Sequence, residues 1–375
     1  MLLGIDGNEA NVTDRVGIGA YAYFLLCNMI PQLGKDSTLR VYLKNEPGSD
    51  MPKADNLTYE VFGPRKLWTQ IGLPLRLYGE SSKPDVFFSP THYAPRFSPV
   101  PVAISVMDLS FLHFPQTFTK KDVMQLSYWT SYSVKKAAAI FTISEASKSD
   151  IIKKYSVPAQ KIHVTYPGVR NIVTLKPSLY PMRKLKEKYK INGEYFLFVG
   201  TLQPRKNIEK LVEAFSLVKK ESANKDLQLV IVGKKGWLYE DILKAPKEYG
   251  VSEDVVFLDF VTDEDLPDLY GNAISFVLPS LYEGFGLPVL EAMSYGCPVI
   301  TSDVSSLPEA GGDAALYVDP KDALDIAKKM NMLLNDKSLR ESLIVKGKTQ
   351  LKKFSWEKAA GQTLEVLEKL GDHAR

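Results

Sequence analysis

Short apolar runs alternate with longer amphipathic stretches along the whole chain. Leu2–Asp6, Leu39–Leu43, Val86–Ser89, Val102–Met107 and Ala139–Ile143 read as a first series of strands. Tyr195–Val199, Leu227–Val232, Val255–Leu258, Ile274–Leu278 and Pro298–Ile300 read as a second. Strands covered on both faces show as near-continuous apolar runs, and amphipathic segments between them serve as crossover helices. The pattern therefore predicts an α/β fold with parallel sheets. Between the two series lies Pro167–Asn192, with Pro177, Pro181 and several lysines, which reads as a linker. We expect two Rossmann-like, doubly wound domains, 1–170 and 171–354, facing each other across a cleft that receives the carboxyl ends of their strands. The ending FSWEKAA predicts a further helix over 355–375, with Ser355 as N-cap and Lys358 where a capping box has Glu. That helix is free to pack back on the first domain.

Bulk properties narrow the function classes. At 375 residues the chain has room for two domains, and its formal net charge of +3 is too small to argue for nucleic acid. Residues 1–170 hold 19 Lys and Arg against 14 Asp and Glu. This surplus suits an anionic acceptor or peripheral contact with a membrane surface, and equally an ordinary solvated face. Cys27 and Cys297 are too far apart for a disulfide framework or a metal motif. The start MLLGIDGNEA lacks the layout of a signal peptide, and no run approaches the ~18 apolar residues that span a bilayer. The expectation is a soluble cytoplasmic protein, at most peripheral at the inner face of the membrane.

The most informative stretch is EGFGLPVLE, Glu283 to Glu291. It follows the apolar run AISFVLP and leads into a helical segment, Leu287 to Tyr295. Two carboxylates thus flank a strand-to-helix turn that carries Gly284 and Gly286. Glycines let a backbone approach a ligand closely, and the first N–H groups of a helix bind anionic oxygens. Carboxylates accept hydrogen bonds from sugar or ribose hydroxyls. Together they suit a molecule with a diphosphate between two polyols, which describes a nucleotide sugar. VGTLQPRKN, from Val199, adds a glycine turn at Gly200 after a strand, then Arg205 and Lys206, then a helix from about Asn207. This is a phosphate-binding layout, although a basic pair at a helix start is more often solvated surface.

Other candidates are weaker by themselves. Gly17 and Gly19, in GIGAY, precede a helix to about Met29, and their loop amides could face phosphate. Asp263-Glu264-Asp265 has the form of a metal-binding Asp-x-Asp. Thr262 as N-cap with Asp265 in its capping box explains the acids better. The four histidines show no ligand spacing, and His92 and His113, after strand ends of the first half, are the two that merit testing.

With these residues in view, the chain resembles the retaining glycosyltransferases of family 4, with the GT-B fold. The matching motifs are GIGAY, ISEASKSDI, YPGV, FVGTLQPRKNI, PSLYEGFGLPVLEAMSYGCPVITSD and PEAGGDAALYVDP, in family order over nearly the whole chain. The block from Pro279 is the most specific, and the likeness is nearest to bacterial polysaccharide mannosyltransferases. The resemblance implies a hexosyltransferase using a GDP- or UDP-linked sugar, with GDP-mannose the first choice. Its acceptor would be a glycan or lipid-linked sugar, with no cofactor and no metal. Glu283 would contact donor-sugar hydroxyls and Glu291 the ribose. Arg205 and Lys206 would neutralise the diphosphate. Amides of Gly284, Phe285, Gly286 and Leu287 would hold sugar and phosphates, with Gly17 and Gly19 approaching from the first domain. The base would rest near Phe260 and Val261. One position departs from the family: a His-Asp pair is replaced by Met107-Asp108. Asp108 remains, and His113 is the candidate to supply the missing imidazole.

Two rivals stand beside this reading. A sugar-nucleotide 2-epimerase also has two Rossmann-like domains, but would release nucleotide without needing an acceptor. A non-catalytic nucleotide-sugar-binding subunit would fit Met107, but not the full set Arg205, Lys206, Glu283 and Glu291.

Overall fold

The computed structural model describes residues 1–169, 182–259 and 261–372. The chain forms two compact units, Met1–Gly168 with Phe354–Arg375, and Val169–Lys353. Among the described residues there are thirteen strands: β1 Leu2–Asp6, β2 Thr38–Leu43, β3 Leu57–Val61, β4 Val86–Ser89, β5 Val102–Ser105, β6 Ala139–Thr142, β7 Ile162–Val164, β8 Tyr195–Val199, β9 Gln228–Val232, β10 Val255–Leu258, β11 Ser275–Leu278, β12 Val299–Ser302 and β13 Ala315–Val318. The first unit holds a sheet in the order β3-β2-β1-β4-β5-β6-β7, and the second one in the order β10-β9-β8-β11-β12-β13. The described pairings are parallel in both. Each sheet is therefore doubly wound, and its order reverses between the first strand and the fourth.

Three strands went unread in the sequence: β3, β7 and β13. All three lie at sheet edges. An edge strand is covered less fully, so its residues need not be apolar in succession. The side chains of β3 and β7 are mostly half-exposed or exposed, whereas those of β4, β5 and β6 are all buried.

The last helix, Trp356–Asp372, belongs to the first unit. Ser355 Oγ accepts from the Lys358 N–H at 3.0 Å, the bond an N-cap makes. Trp356 stacks on Phe24 with ring centroids 5.4 Å apart, and Ala359, Ala360, Leu364 and Leu367 join Leu3, Ile5 and Leu25 in one core. Burying an aromatic face and a row of aliphatic side chains is what fixes this helix to the sheet.

Two expectations in the second unit change. The stretch expected as a linker includes a helix, Met182–Tyr189, while Pro177 and Pro181 fall outside the described residues. Thr262 is not a helix N-cap: the helix is Leu266–Gly271, and Asp265 holds the cap position. Asp265 N–H donates to Thr262 Oγ1 at 3.3 Å, and its carboxylate accepts from Lys188 Nζ at 2.5 Å and Tyr189 OH at 2.6 Å. Burial raises this carboxyl, but the bonds from Lys188 and Tyr189 outweigh burial and leave it below its ordinary value.

Candidate active site

The second sheet positions the site. β8 and β11 are neighbours at its switch point, where doubly wound sheets receive ligands. Beyond β8 the chain turns at Gly200, makes a short 3-10 turn over Pro204–Lys206, and enters the helix Ile208–Glu221 through Asn207. Asn207 is left-handed, at φ +60°, and its Nδ2 donates to Pro279 O at 3.0 Å and Pro320 O at 2.6 Å. One side chain thereby ties the β8 loop to the loops after β11 and β13.

Beyond β11, Glu283 meets both cations of the β8 loop. Lys206 Nζ donates to Glu283 Oε1 at 2.6 Å and Arg205 Nη1 to Oε2 at 3.0 Å. Arg205 also donates to Tyr282 O. Ser280 Oγ gives Oε1 a further bond at 2.7 Å. Lys206 and Glu283 are buried, and the Arg205 side chain is 13% exposed. Burial pushes the Glu283 carboxyl up, but Lys206 and Arg205 more than offset this and hold it down at about 2. The cluster is therefore one carboxylate and two cations, with a surplus positive charge in a partly desolvated place.

Serines from the loop after β12 fix the turn that carries Glu283. Ser305 Oγ accepts from Glu283 N–H at 3.0 Å, and Ser306 Oγ donates to Glu283 O at 2.8 Å. The turn ends at Gly286, at φ +100°, where a Cβ would also stand 2.8 Å from Leu307 Cδ2. The helix Leu287–Ser294 begins there and directs the positive end of its dipole at the same turn. Gly284 and Phe285 are buried beside it. Glu291 lies half-buried in the second turn of this helix, close enough to raise the Tyr270 phenol, on which burial acts more strongly.

The structure thus brings Arg205, Lys206 and Glu283 into direct contact and sets Gly284, Phe285, Gly286 and Leu287 in the adjoining turn. Gly200 stands at the start of the β8 loop. Val261 is buried just beyond β10, and Phe260 lies outside the described residues. Lys234 and Lys235, on which the sequence reading did not comment, lie near the start of the β8 loop. They are exposed on the loop after β9, which bonds to the β8 loop through Leu202 N–H to Lys234 O at 3.0 Å and Gly236 N–H to Leu202 O at 3.0 Å. The available signal was a strand followed by Gly-Lys-Lys-Gly. Gly233 is required there, because a Cβ would fall 1.9 Å from Gly200 O. Ser280, Ser305 and Ser306 were missed as well, since nothing in a serine's spacing announces which carbonyl it holds.

The remaining predicted residues belong to the first unit. Gly17, at φ +52°, is exposed at the N-cap of helix Ile18–Met29, and Gly19 is buried in its first turn. Asp108 Oδ1 accepts from Ser110 N–H at 2.8 Å. Met107 packs against the core, and its carbonyl accepts from Ser147 Oγ at 2.9 Å. His113 ends the short helix Ser110–His113, exposed, with Nε2 3.1 Å from Asp150 Oδ2. His92 is half-buried after β4, its Nδ1 buried without a hydrogen-bond partner among the described residues. Burial lowers its basicity, and Asp108 works against that shift. Among the described residues there is no group of three or more His, Cys, Asp or Glu that could hold a metal ion. No described helix is long and apolar enough to cross a membrane.

Comparison with known proteins agrees with this arrangement. The model of the family "Glycosyl transferases group 1" matches residues 182–350, which contain the whole Arg205–Lys206–Glu283 cluster. An O-antigen chain mannosyltransferase B of Escherichia coli is 39% identical over 261 residues, covering 69% of this chain and 68% of the relative. Among solved structures, sucrose-phosphate synthase of Thermosynechococcus elongatus superposes with a TM-score of 0.75 at 19% identity, covering 99% of both chains. Anabaena Alr3699/HepE in complex with UDP-glucose gives 0.73 at 17%, covering 98% of this chain and 99% of that one. At such identities the structural matches speak for the fold alone, which is GT-B. Sheet topology, strand-end cluster and sequence kinship agree: the chain belongs to the group 1 glycosyltransferases.

Proposed function

We propose that the chain transfers mannose from GDP-mannose to a glycan acceptor, with retention of anomeric configuration and without a metal ion. The observation that carries this reading is the buried Arg205–Lys206–Glu283 cluster with its surplus positive charge, at the switch point of the second sheet. A leaving nucleoside diphosphate builds negative charge on its terminal phosphate. Two fixed cations and the end of helix Leu287–Ser294 stabilise that charge without reorganising. The bond from the sugar's anomeric carbon to phosphate breaks, the bond to the acceptor oxygen forms on the same face, and the acceptor proton passes to the departing phosphate. Glu283 holds both cations in place, and its second oxygen, with one bond here, can still accept from a donor-sugar hydroxyl. Glu291, further along the helix, takes the ribose. Mannose is chosen because a relative at 39% identity is a mannosyltransferase.

A donor screen tests the reading. GDP-mannose, UDP-glucose and UDP-N-acetylglucosamine are offered with a mannose-terminated glycoside, with and without EDTA. GDP-mannose should be turned over fastest and EDTA should leave the rate intact. Preference for a UDP-sugar would reject the donor. Loss of turnover in EDTA, restored by Mg²⁺ or Mn²⁺, would reject metal independence. Nucleotide release that needs no acceptor and yields an epimerised sugar would reject transfer altogether.

A further inference from the structure

The first unit turns an apolar stripe outward that neither its core nor the proposed chemistry uses. Between β3 and β4 the chain runs through two contiguous helices, Trp68–Gly72 and Leu73–Gly79. Their inner side is fixed: Trp68, Leu73 and Leu77 join the core that holds Tyr42 and Phe87, and Trp68 Nε1 donates to Phe62 O at 3.1 Å. Their outer side carries Leu67, Ile71, Leu75 and Tyr78, each 47–67% exposed. Successive steps of four, four and three residues keep these on one side of a helix. Leu67 has a left-handed backbone, φ +53°, and its carbonyl accepts from the Ile71 N–H at 2.8 Å. Single exposed apolar side chains are ordinary on a protein surface, whereas a row of four on successive turns marks a contact. The charges beside the stripe have one free sign. Arg65 and Lys66 before it and Lys83 after it are exposed, with no ion-pair partner among the described residues. The acid between Val61 and Lys83 is Glu80, which is buried and accepts from Arg40 Nη1 at 2.8 Å, Tyr42 OH at 2.8 Å and Arg76 Nε at 3.1 Å. Arg76 also pairs with Glu60 at 2.7 Å. The segment therefore shows apolar side chains and free cations, and no exposed carboxylate.

We propose that this face docks on an anionic lipid surface, with Leu67, Ile71, Leu75 and Tyr78 entering the boundary between headgroups and acyl chains and Arg65, Lys66 and Lys83 lying among the lipid phosphates. An apolar row on a helix leaves water by entering that boundary. A tyrosine suits it, with its ring in the apolar layer and its hydroxyl among the headgroups. Each Lys or Arg near an anionic surface adds attraction. A second copy of the chain fits less well, because a twofold contact through this face would set its free cations against the same cations. A sugar fits less well too, because leucine and isoleucine side chains offer nothing to a rim of hydroxyls. Docking would bring the chain to the surface on which a lipid-linked acceptor is presented, and it stands apart from the donor chemistry of the second unit.

The test is cosedimentation of the full chain with vesicles of phosphatidylglycerol and phosphatidylethanolamine, and with vesicles of phosphatidylcholine alone. The parent protein should bind the anionic vesicles, leave them in high salt, and bind phosphatidylcholine about tenfold more weakly or less. The double variant Ile71→Glu, Leu75→Glu should lose about tenfold or more in binding. Arg65→Gln and Lys66→Gln should each lose about fivefold, and Leu75→Phe should keep the parent's affinity. Brominated lipid should quench the emission of Leu75→Trp beyond that of the parent. Thermal unfolding and transfer to a water-soluble acceptor should be unchanged in all of these variants. A folded Ile71→Glu, Leu75→Glu protein that binds anionic vesicles as tightly as the parent would overturn the proposal, and so would a parent protein that does not bind them. A parent dimer in sedimentation that the same double variant dissolves, with no vesicle binding, would give the face to a second copy instead. Vesicle binding needs neither donor nor acceptor, so failure of the proposed transfer and failure of the docking face are read separately.

Discussion

Each unit places a buried carboxylate at the carboxyl edge of its sheet, and the two titrate in opposite directions. Asp6 ends β1 at the first sheet's switch point, and Glu283 follows β11 at the second's. Burial drives both upward. Asp6 has hydrogen bonds from Asn8 N–H at 3.1 Å and Asn8 Nδ2 at 2.7 Å, with Lys44 a minor influence, and its carboxyl ends at about 6. Glu283 has Lys206 and Arg205 in contact and ends at about 2. Desolvation is common to the two, so the neighbouring charges, Glu9 repelling Asp6 and two cations in contact with Glu283, make the difference. The second unit has collected positive charge beyond what its own carboxylate needs. A protein that only had to satisfy Glu283 would need one cation. Under the proposed function, that surplus faces the diphosphate of the donor.

Removing the carboxylate should have the largest effect. Glu283→Leu leaves two cations without their partner and should cost about 3–5 kcal/mol in urea unfolding. Adding Lys206→Met and Arg205→Met should recover much of that stability while nucleotide binding stays lost. If Glu283→Leu is nearly neutral alone, the cations are solvated rather than clustered, and the contrast between the units dissolves.

The pH dependence of stability should then resolve the two carboxylates. The folded value for Glu283 lies below its ordinary 4.5. Its contribution is complete above pH 4.5 and is lost as pH falls toward 2. The folded value for Asp6 lies above its ordinary 3.8. Protonation favours the fold there, so that contribution is present below 3.8 and is lost as pH rises through about 6. Each limb should amount to roughly 3 kcal/mol. Asp6→Asn should flatten the limb between about 4 and 6, and Glu283→Gln the one below 4.5. Urea titrations from pH 2.5 to 8 read both. A stability profile that Asp6→Asn leaves unchanged would mean that water reaches Asp6.

How much of this was legible follows from where the information sits. EGFGLPVLE and GTLQPRKN each place chemistry within a few residues, so the strand, glycine turn and charged groups could be read directly. Their union could not. Arg205 and Lys206 meet Glu283 only because β8 and β11 are neighbours in the sheet, a pairing that sequence order conceals. Central strands were legible because both faces are buried, whereas β3, β7 and β13 at the edges were not; β10, also at an edge, was legible because its run VVFL is wholly apolar. His113 was read as the candidate imidazole after a strand end, and it ends a short helix opposite Asp150. No local pattern predicts that long-range partner.

A smaller effect sharpens the role of the turn. Gly286→Ala imposes a Cβ at φ +100° and 2.8 Å from Leu307 Cδ2. It should destabilise by about 1–2 kcal/mol and weaken nucleotide binding by displacing the turn that precedes helix Leu287–Ser294. An equal loss of stability with unchanged binding would confine the turn to a structural role.

Calorimetric titration of GDP and UDP into the parent protein, Arg205→Ala, Lys206→Met and Asp6→Asn tests the central claim most directly. Loss of a charged hydrogen bond costs about 1.5–3 kcal/mol, or roughly ten- to a hundredfold in affinity. The account predicts that fall for Arg205→Ala and Lys206→Met, steeper at low salt, and no change for Asp6→Asn. Folded Arg205 and Lys206 variants that bind nucleotide as tightly as the parent would contradict it.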